Sequence, residues 1–114
     1  MTIEKISQLV EAEILNCPEK KADEVLSACG SDLMSDVLAF VKDQGVLLTG
    51  LVNPQVVLTA EMMDMKCIIF VRGKQPGEAI VDLASSHGIV LMKSPLRMYE
   101  ACGILYSEGL GRKE

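Results

Sequence analysis

The sequence predicts an α/β fold: a three-layer α/β/α sandwich on a mainly parallel sheet of about five strands. Three observations carry this. The runs 46–50, 67–71 and 89–92 are continuously apolar rather than alternating, the pattern of strands covered on both faces. Each run is followed by a one-sided apolar stripe at helical spacing. The runs also start about one βα unit apart, the spacing of successive parallel crossovers.

Taken in order, Thr2 caps a first helix whose stripe is Ile3, Ile6, Leu9 and Val10. Residues 13–17 read as a short strand stopped by Pro18. A charged loop over 19–24 leads to a second strand at 24–29, ending in Gly30. Ser31 or Asp32 caps a second helix with Leu33, Met34, Val37, Leu38 and Val41 on one side, and Gly45 ends it. The third strand, 46–50, closes on Thr49-Gly50. Asn53-Pro54 then supplies an N-cap and a proline at the first helical position.

Val56, Val57, Ala60 and Met63 make the third helical stripe. The fourth strand, 67–71, ends in Arg72-Gly73. Gln75-Pro76 is a weaker helix start for Ala79, Ile80, Leu83, Ala84 and His87, with Gly88 as the C-terminal stop. The fifth strand, 89–92, ends in Lys93-Ser94-Pro95. Ser94-Pro95 reads as cap and first turn of a helix carrying Met98, Ala101, Cys102 and Leu105. Residues 111–114 are expected to fray. Successive crossovers put the helices after the three runs on one face, so the N-terminal third must supply part of the cover for the other.

At 114 residues, with no linker or composition break, 1–114 is expected to be one domain. Apolar residues at 49% and charged residues at 24% describe a globular chain. Aromatics are two Phe, two Tyr and no Trp, so the core is aliphatic, with seven Met as adaptable filler. A net charge of −5 repels phosphate backbones, which argues against nucleic acid as a partner. The longest apolar run is too short to cross a membrane, and the N-terminus, rich in acids, is unlike a signal peptide. Cys17, Cys29, Cys67 and Cys102 form no CxxC pair and no zinc-ligand spacing. They read as small buried hydrophobes in a reducing compartment, the cytoplasm.

In such a sheet, ligands bind beyond the carboxyl ends of the strands, where free N–H groups and helix dipoles favour anions. The loops there make Gly30, Ser31, Asp32, Thr49, Gly50, Asn53, Arg72, Gly73, Lys74 and Ser94 the candidate ligand-binding residues. Lys93 and Arg97 add positive charge nearby. The same residue types also serve as ordinary caps and solvated loop charges. No GxSxG elbow, phosphate-binding loop or GxGxxG follows a strand. The single histidine, His87, falls at the amino side of a strand, away from that edge. Asp32 and Asp36, four apart, could face the edge together, but acids at a helix start are favoured by the dipole alone. No catalytic residue, metal or cofactor is assigned.

Gly30-Ser-Asp-Leu-Met-Ser-Asp-Val-Leu38 resembles a segment of small stand-alone DRTGG-domain proteins. Thr49-Gly50 with Asn53, Val56, Val57, Leu58 and Ala60 is similar to the segment that follows in them. Cys67 to Gly73 with Pro76, then Gly88 to Leu91, then Glu100-Ala with Leu105-Tyr106 and Gly109-Leu110, match in order over roughly residues 11–110. The literal Asp-Arg-Thr-Gly-Gly is absent; Thr49-Gly50 and Arg72-Gly73 are its nearest counterparts. The resemblance implies a fold like the N-terminal domain of HPr kinase and an accessory role, since such domains are regulatory parts of larger enzymes. It also implies a setting near redox or hydrogenase-associated signalling. It transfers no catalytic residues.

The expected function is therefore a non-catalytic regulatory or interaction module, a homodimer through a Met-rich aliphatic surface. The alternative is a sensor of a small anionic ligand, a nucleotide or phosphate compound, at the strand ends. An enzyme would have to draw on Asp32, Asp36, Lys74 or Arg97.

Overall fold

The computed structural model describes residues 1–40 and 45–112. Its elements are α1 (Ile3–Leu9), β1 (Glu13–Ile14), β2 (Ser27–Gly30), α2 (Met34–Phe40), β3 (Gly45–Thr49), α3 (Pro54–Met62), β4 (Cys67–Phe70), α4 (Glu78–Ser86), β5 (Val90–Lys93) and α5 (Met98–Ser107). They form one five-stranded sheet in the order β1-β5-β4-β3-β2. Strands β2 to β5 are parallel; β1 runs antiparallel to β5, with Glu13 opposite Lys93 and Ile14 opposite Met92. The three-layer, mainly parallel sandwich expected from the sequence is what forms.

The continuous apolar runs have their predicted cause: every residue of β3 and β4 is buried. Side chains alternate between two cores. Val46, Leu48, Cys67, Ile69, Val90 and Met92 face Ile3 and Ile6 of α1 and Ala101 and Leu105 of α5. Leu47, Ile68, Phe70 and Leu91 face Val37 of α2, Val56, Val57 and Ala60 of α3, and Ala84 of α4. Each fully buried Ile, Leu or Phe contributes about 1.5–3 kcal/mol. Among the described residues no helix is long and apolar enough to cross a membrane.

Helix placement differs from expectation in two ways. The second helix does not help to cover the far face; α2 packs beside α3, on the same face as α4. The helix after the last parallel strand takes that role, and α5 joins α1 on the opposite side. Among the described residues no parallel strand follows β5, so the crossover rule does not place α5, and it lies where the sheet would otherwise be bare.

The caps at Thr2 and Asn53 form as predicted: Thr2 Oγ1 accepts from Lys5 N at 3.1 Å and Asn53 Oδ1 from Val56 N at 3.2 Å. Gly88, at φ +70°, follows the C-cap His87. Ser94-Pro95 does not start a helix. Ser94 is fully buried, its hydroxyl donating to Val10 O at 2.7 Å and accepting from Leu96 N at 3.1 Å, and α5 begins at Met98. Likewise α4 starts at Glu78 with Gly77 as N-cap, not at Gln75-Pro76. Gly45, expected to end the second helix, opens β3. The expected place of Val41 on the second helical stripe lies outside the described residues, as do residues 113 and 114 of the tail.

The N-terminal strands are shorter than predicted. Leu15 N still donates to Leu91 O at 2.8 Å, and after it a side chain takes over: Asn16 accepts from Leu91 N at 2.6 Å and donates to Ile89 O at 3.0 Å and to Ser85 Oγ at 3.0 Å. Cys17, at φ +48°, then turns the chain into the 3₁₀ turn Pro18–Lys20. The expected 24–29 strand begins only at Ser27; Glu24 makes an isolated bridge to Thr2 instead.

Candidate ligand-binding edge

The parallel strands end together at Gly30, Thr49, Phe70 and Lys93. Between β4 and β5 the chain leaves in opposite directions, to α4 on one face and α5 on the other. Adjacent strands whose connections part in this way open a crevice at their carboxyl ends. Arg72 and Gly73 lie in it, at φ +60° and +67°. For a non-glycine residue that left-handed conformation costs about 1–2 kcal/mol. It aims two successive amides across the crevice: Arg72 N donates to Leu96 O and Gly73 N to Ser94 O, both at 2.7 Å. The floor of the crevice is therefore backbone, and what stays open is its rim.

Arg72 is exposed, and its guanidinium lies over Gly50, where a β-carbon would stand 3.0 Å from Cζ and 3.2 Å from Nε. Only glycine leaves that place to the arginine. Asp32 reaches the same glycine: Oδ1 accepts from Gly50 N at 2.7 Å and from Thr49 Oγ1 at 3.0 Å. Thr49 Oγ1 in turn accepts from Leu51 N at 3.1 Å. Asp32, Thr49, Gly50, Arg72 and Gly73, from three separate loops, thus meet at one edge.

The other sequence candidates are placed differently. Asn53 is used as the cap of α3, and Ser31 Oγ accepts from Leu33 N at 3.0 Å. Ser94 is buried behind the crevice. Gly30 faces α5, where a β-carbon would meet Cys102 Sγ at 2.7 Å. Lys74 is exposed on the rim, and Lys93 Nζ donates to Gln75 Oε1 at 2.9 Å. The N-terminus of α4 has no side-chain cap: Gly77 O takes the Ile80 and Val81 amides at 3.1 Å, and among the described residues no side chain takes those of Glu78 and Ala79 beside this rim.

Burial raises the Cys29 thiol above the ordinary range and the Asp36 carboxylate raises it further; burial and then Cys29 do the same to Cys102. His87 lies at the opposite end of the sheet, its Nδ1 4.0 Å from Glu61 Oε1. Among the described residues no three His, Cys, Asp or Glu side chains gather as a metal site. The edge offers a positive side chain on a strained residue, an uncapped helix start and a carboxylate already holding one amide.

A feature that the residue patterns did not reveal lies beside α5. An open groove of about 810 Å³ runs between that helix and the edge strand β2. Only the packing of α5 creates it.

No family model matches the chain, and no curated protein matches it. Among solved structures it is similar to the CBS and DRTGG domains of the regulatory region of Clostridium perfringens pyrophosphatase, solved in complex with an activator, diadenosine tetraphosphate. The TM-score is 0.76 at 15% sequence identity, over 99% of this chain and 51% of that one. At this identity the likeness is one of fold, and the chain spans about half the length of its neighbour.

Proposed function

We propose that residues 1–114 form a non-catalytic regulatory module that acts as a homodimer and senses a small anionic ligand, a nucleotide or other phosphate compound, at its strand-end edge. The fold likeness carries this reading: the similar domains belong to a regulatory region and were solved with a nucleotide activator. The edge geometry supports it. Arg72 is held in a strained conformation over Gly50, and the start of α4 lies uncapped nearby.

Thermal unfolding with added ATP, AMP, a sugar phosphate or an acyl phosphate tests the ligand reading. A ligand present at about a hundred times its dissociation constant adds about 2.7 kcal/mol, a clear rise in melting temperature for a domain of this size. Arg72→Ala removes that rise while leaving the free protein folded. No shift with any of the four compounds overturns the sensor reading.

A further inference from the structure

Both tyrosines of the chain lie on α5, and the chain has no tryptophan. Tyr99 is 89% exposed and Tyr106 63% exposed. They border the groove between α5 and β2, which is floored by Leu48, Leu105 and Leu110 and walled by Met98 and Cys102. Two large rings in water beside an apolar groove are an anchor pattern: aromatic side chains dominate the binding energy of protein contacts.

Gly103 lies between them in the interior of α5. A glycine there costs about 1 kcal/mol relative to alanine. A β-carbon at Gly103 would meet nothing within 4 Å. No neighbour among the described residues requires the glycine, which leaves it open to a use outside the fold. A bare stretch of helix backbone permits close approach by another element.

We propose that this face of α5 meets the same face of a second copy, antiparallel, about a two-fold axis near Gly103. The inference rests on the homodimer reading above and names its surface. Tyr99, Gly103 and Tyr106 share one helix face at i, i+4 and i+7. Antiparallel pairing about Gly103 sets Tyr99 of one copy against Tyr106 of the other, and the reverse, as an isologous contact requires.

The charges agree with this register. Among the described residues the groove has one acid, Glu100, next to Tyr99. Arg112 lies over Tyr106, 5.7 Å from its ring centroid. The pairing that joins Tyr99 to the second copy's Tyr106 therefore brings Glu100 to the second copy's Arg112, twice by symmetry. In a chain of net charge −5, a contact whose charges pair in this way escapes the general repulsion between copies. The helix pair is about 15 Å long, so with the β2 edge it makes a small interface, of the weak, micromolar class.

Sedimentation equilibrium and tyrosine fluorescence over rising protein concentration test the proposal. With no tryptophan, the emission reports on this groove alone. Dimerisation should appear in both, in the same concentration range. Gly103→Gln should weaken it at least about tenfold while raising the thermal stability of the monomer, because a helix interior gains from the exchange. Glu100→Arg and Arg112→Glu should each weaken it, and the double exchange should recover most of the loss. A dimer indifferent to Gly103→Gln and Glu100→Arg overturns this surface but leaves the homodimer reading standing. A chain that stays monomeric at hundreds of micromolar overturns both. A double exchange that recovers nothing removes the antiparallel register. If the protein stays monomeric and adenosine quenches the tyrosines, the groove belongs to a neutral aromatic ligand and the proposal fails.

Discussion

The guanidinium of Arg72 occupies the space where Gly50 would carry a side chain. The two residues follow the adjacent strands β4 and β3, and the glycine lets the arginine lie flat on the sheet edge. Gly50→Ala should therefore displace Arg72. An arginine tip is flexible, so the stability cost should stay within about 1 kcal/mol. The thermal shift induced by a nucleotide should fall markedly, since the cation has left its place. A mutant with the wild-type ligand shift would separate Arg72 from binding.

Asp32 accepts the Gly50 amide and the Thr49 hydroxyl, at 2.7 and 3.0 Å. Asp32→Ala removes both bonds from an exposed site and should cost about 1 kcal/mol in urea unfolding, with an unchanged m-value. It also frees an amide and removes the negative charge beside an anion site. Nucleotide affinity should rise several-fold in the same variant. A fall in affinity would mean that Asp32 contacts the ligand itself.

Asn16 replaces strand pairing with three side-chain hydrogen bonds, one to each of Leu91 N, Ile89 O and Ser85 Oγ. Asn16→Ala leaves buried backbone groups without partners and should cost about 3 kcal/mol. Amide exchange at Leu91 should quicken far more than at Ile68 in the centre of the sheet. Equal acceleration at both would place the loss in global unfolding alone.

The Cys67 thiol is fully buried, and desolvation holds its pKa far above the ordinary thiol range; Cys29 and Cys102 are raised as well. The folded chain then keeps protons that the unfolded chain releases above about pH 9. Stability is full below that pH and falls as pH rises, by at most about 1.4 kcal/mol per pH unit for each thiol. Urea midpoints measured between about pH 8 and 10 should decline. Cys67→Ala should lower the starting stability and flatten the decline. An equally steep decline in that variant would remove Cys67 as its source.

The central strands were readable because burial on both faces demands unbroken apolar runs at 46–50, 67–71 and 89–92, and β3 and β4 are buried throughout. Thr2 and Asn53 were readable because a cap acts through its own local backbone. Ser94 misled for the same reason. Its sequence context is that of a cap, but a carbonyl 84 residues away, Val10 O, takes its hydroxyl. The loops of the ligand edge could be named from strand ends alone. Which of their residues converge could not, because Asp32, Gly50 and Arg72 meet only after β2, β3 and β4 align.

Local chemistry therefore set the elements, the parallel sheet and which loops line its carboxyl edge. The tertiary structure alone decided that α5 turns to the opposite face, that β1 pairs antiparallel with β5 and Asn16 takes over beyond it, and that Arg72 lies over Gly50. The physical reason is range. Helical periodicity, caps and strand burial are written in neighbouring residues, whereas the face that a helix covers depends on which apolar surface the rest of the chain leaves bare. The groove bordered by Tyr99 and Tyr106 is what remains of that surface after α1 and α5 have packed.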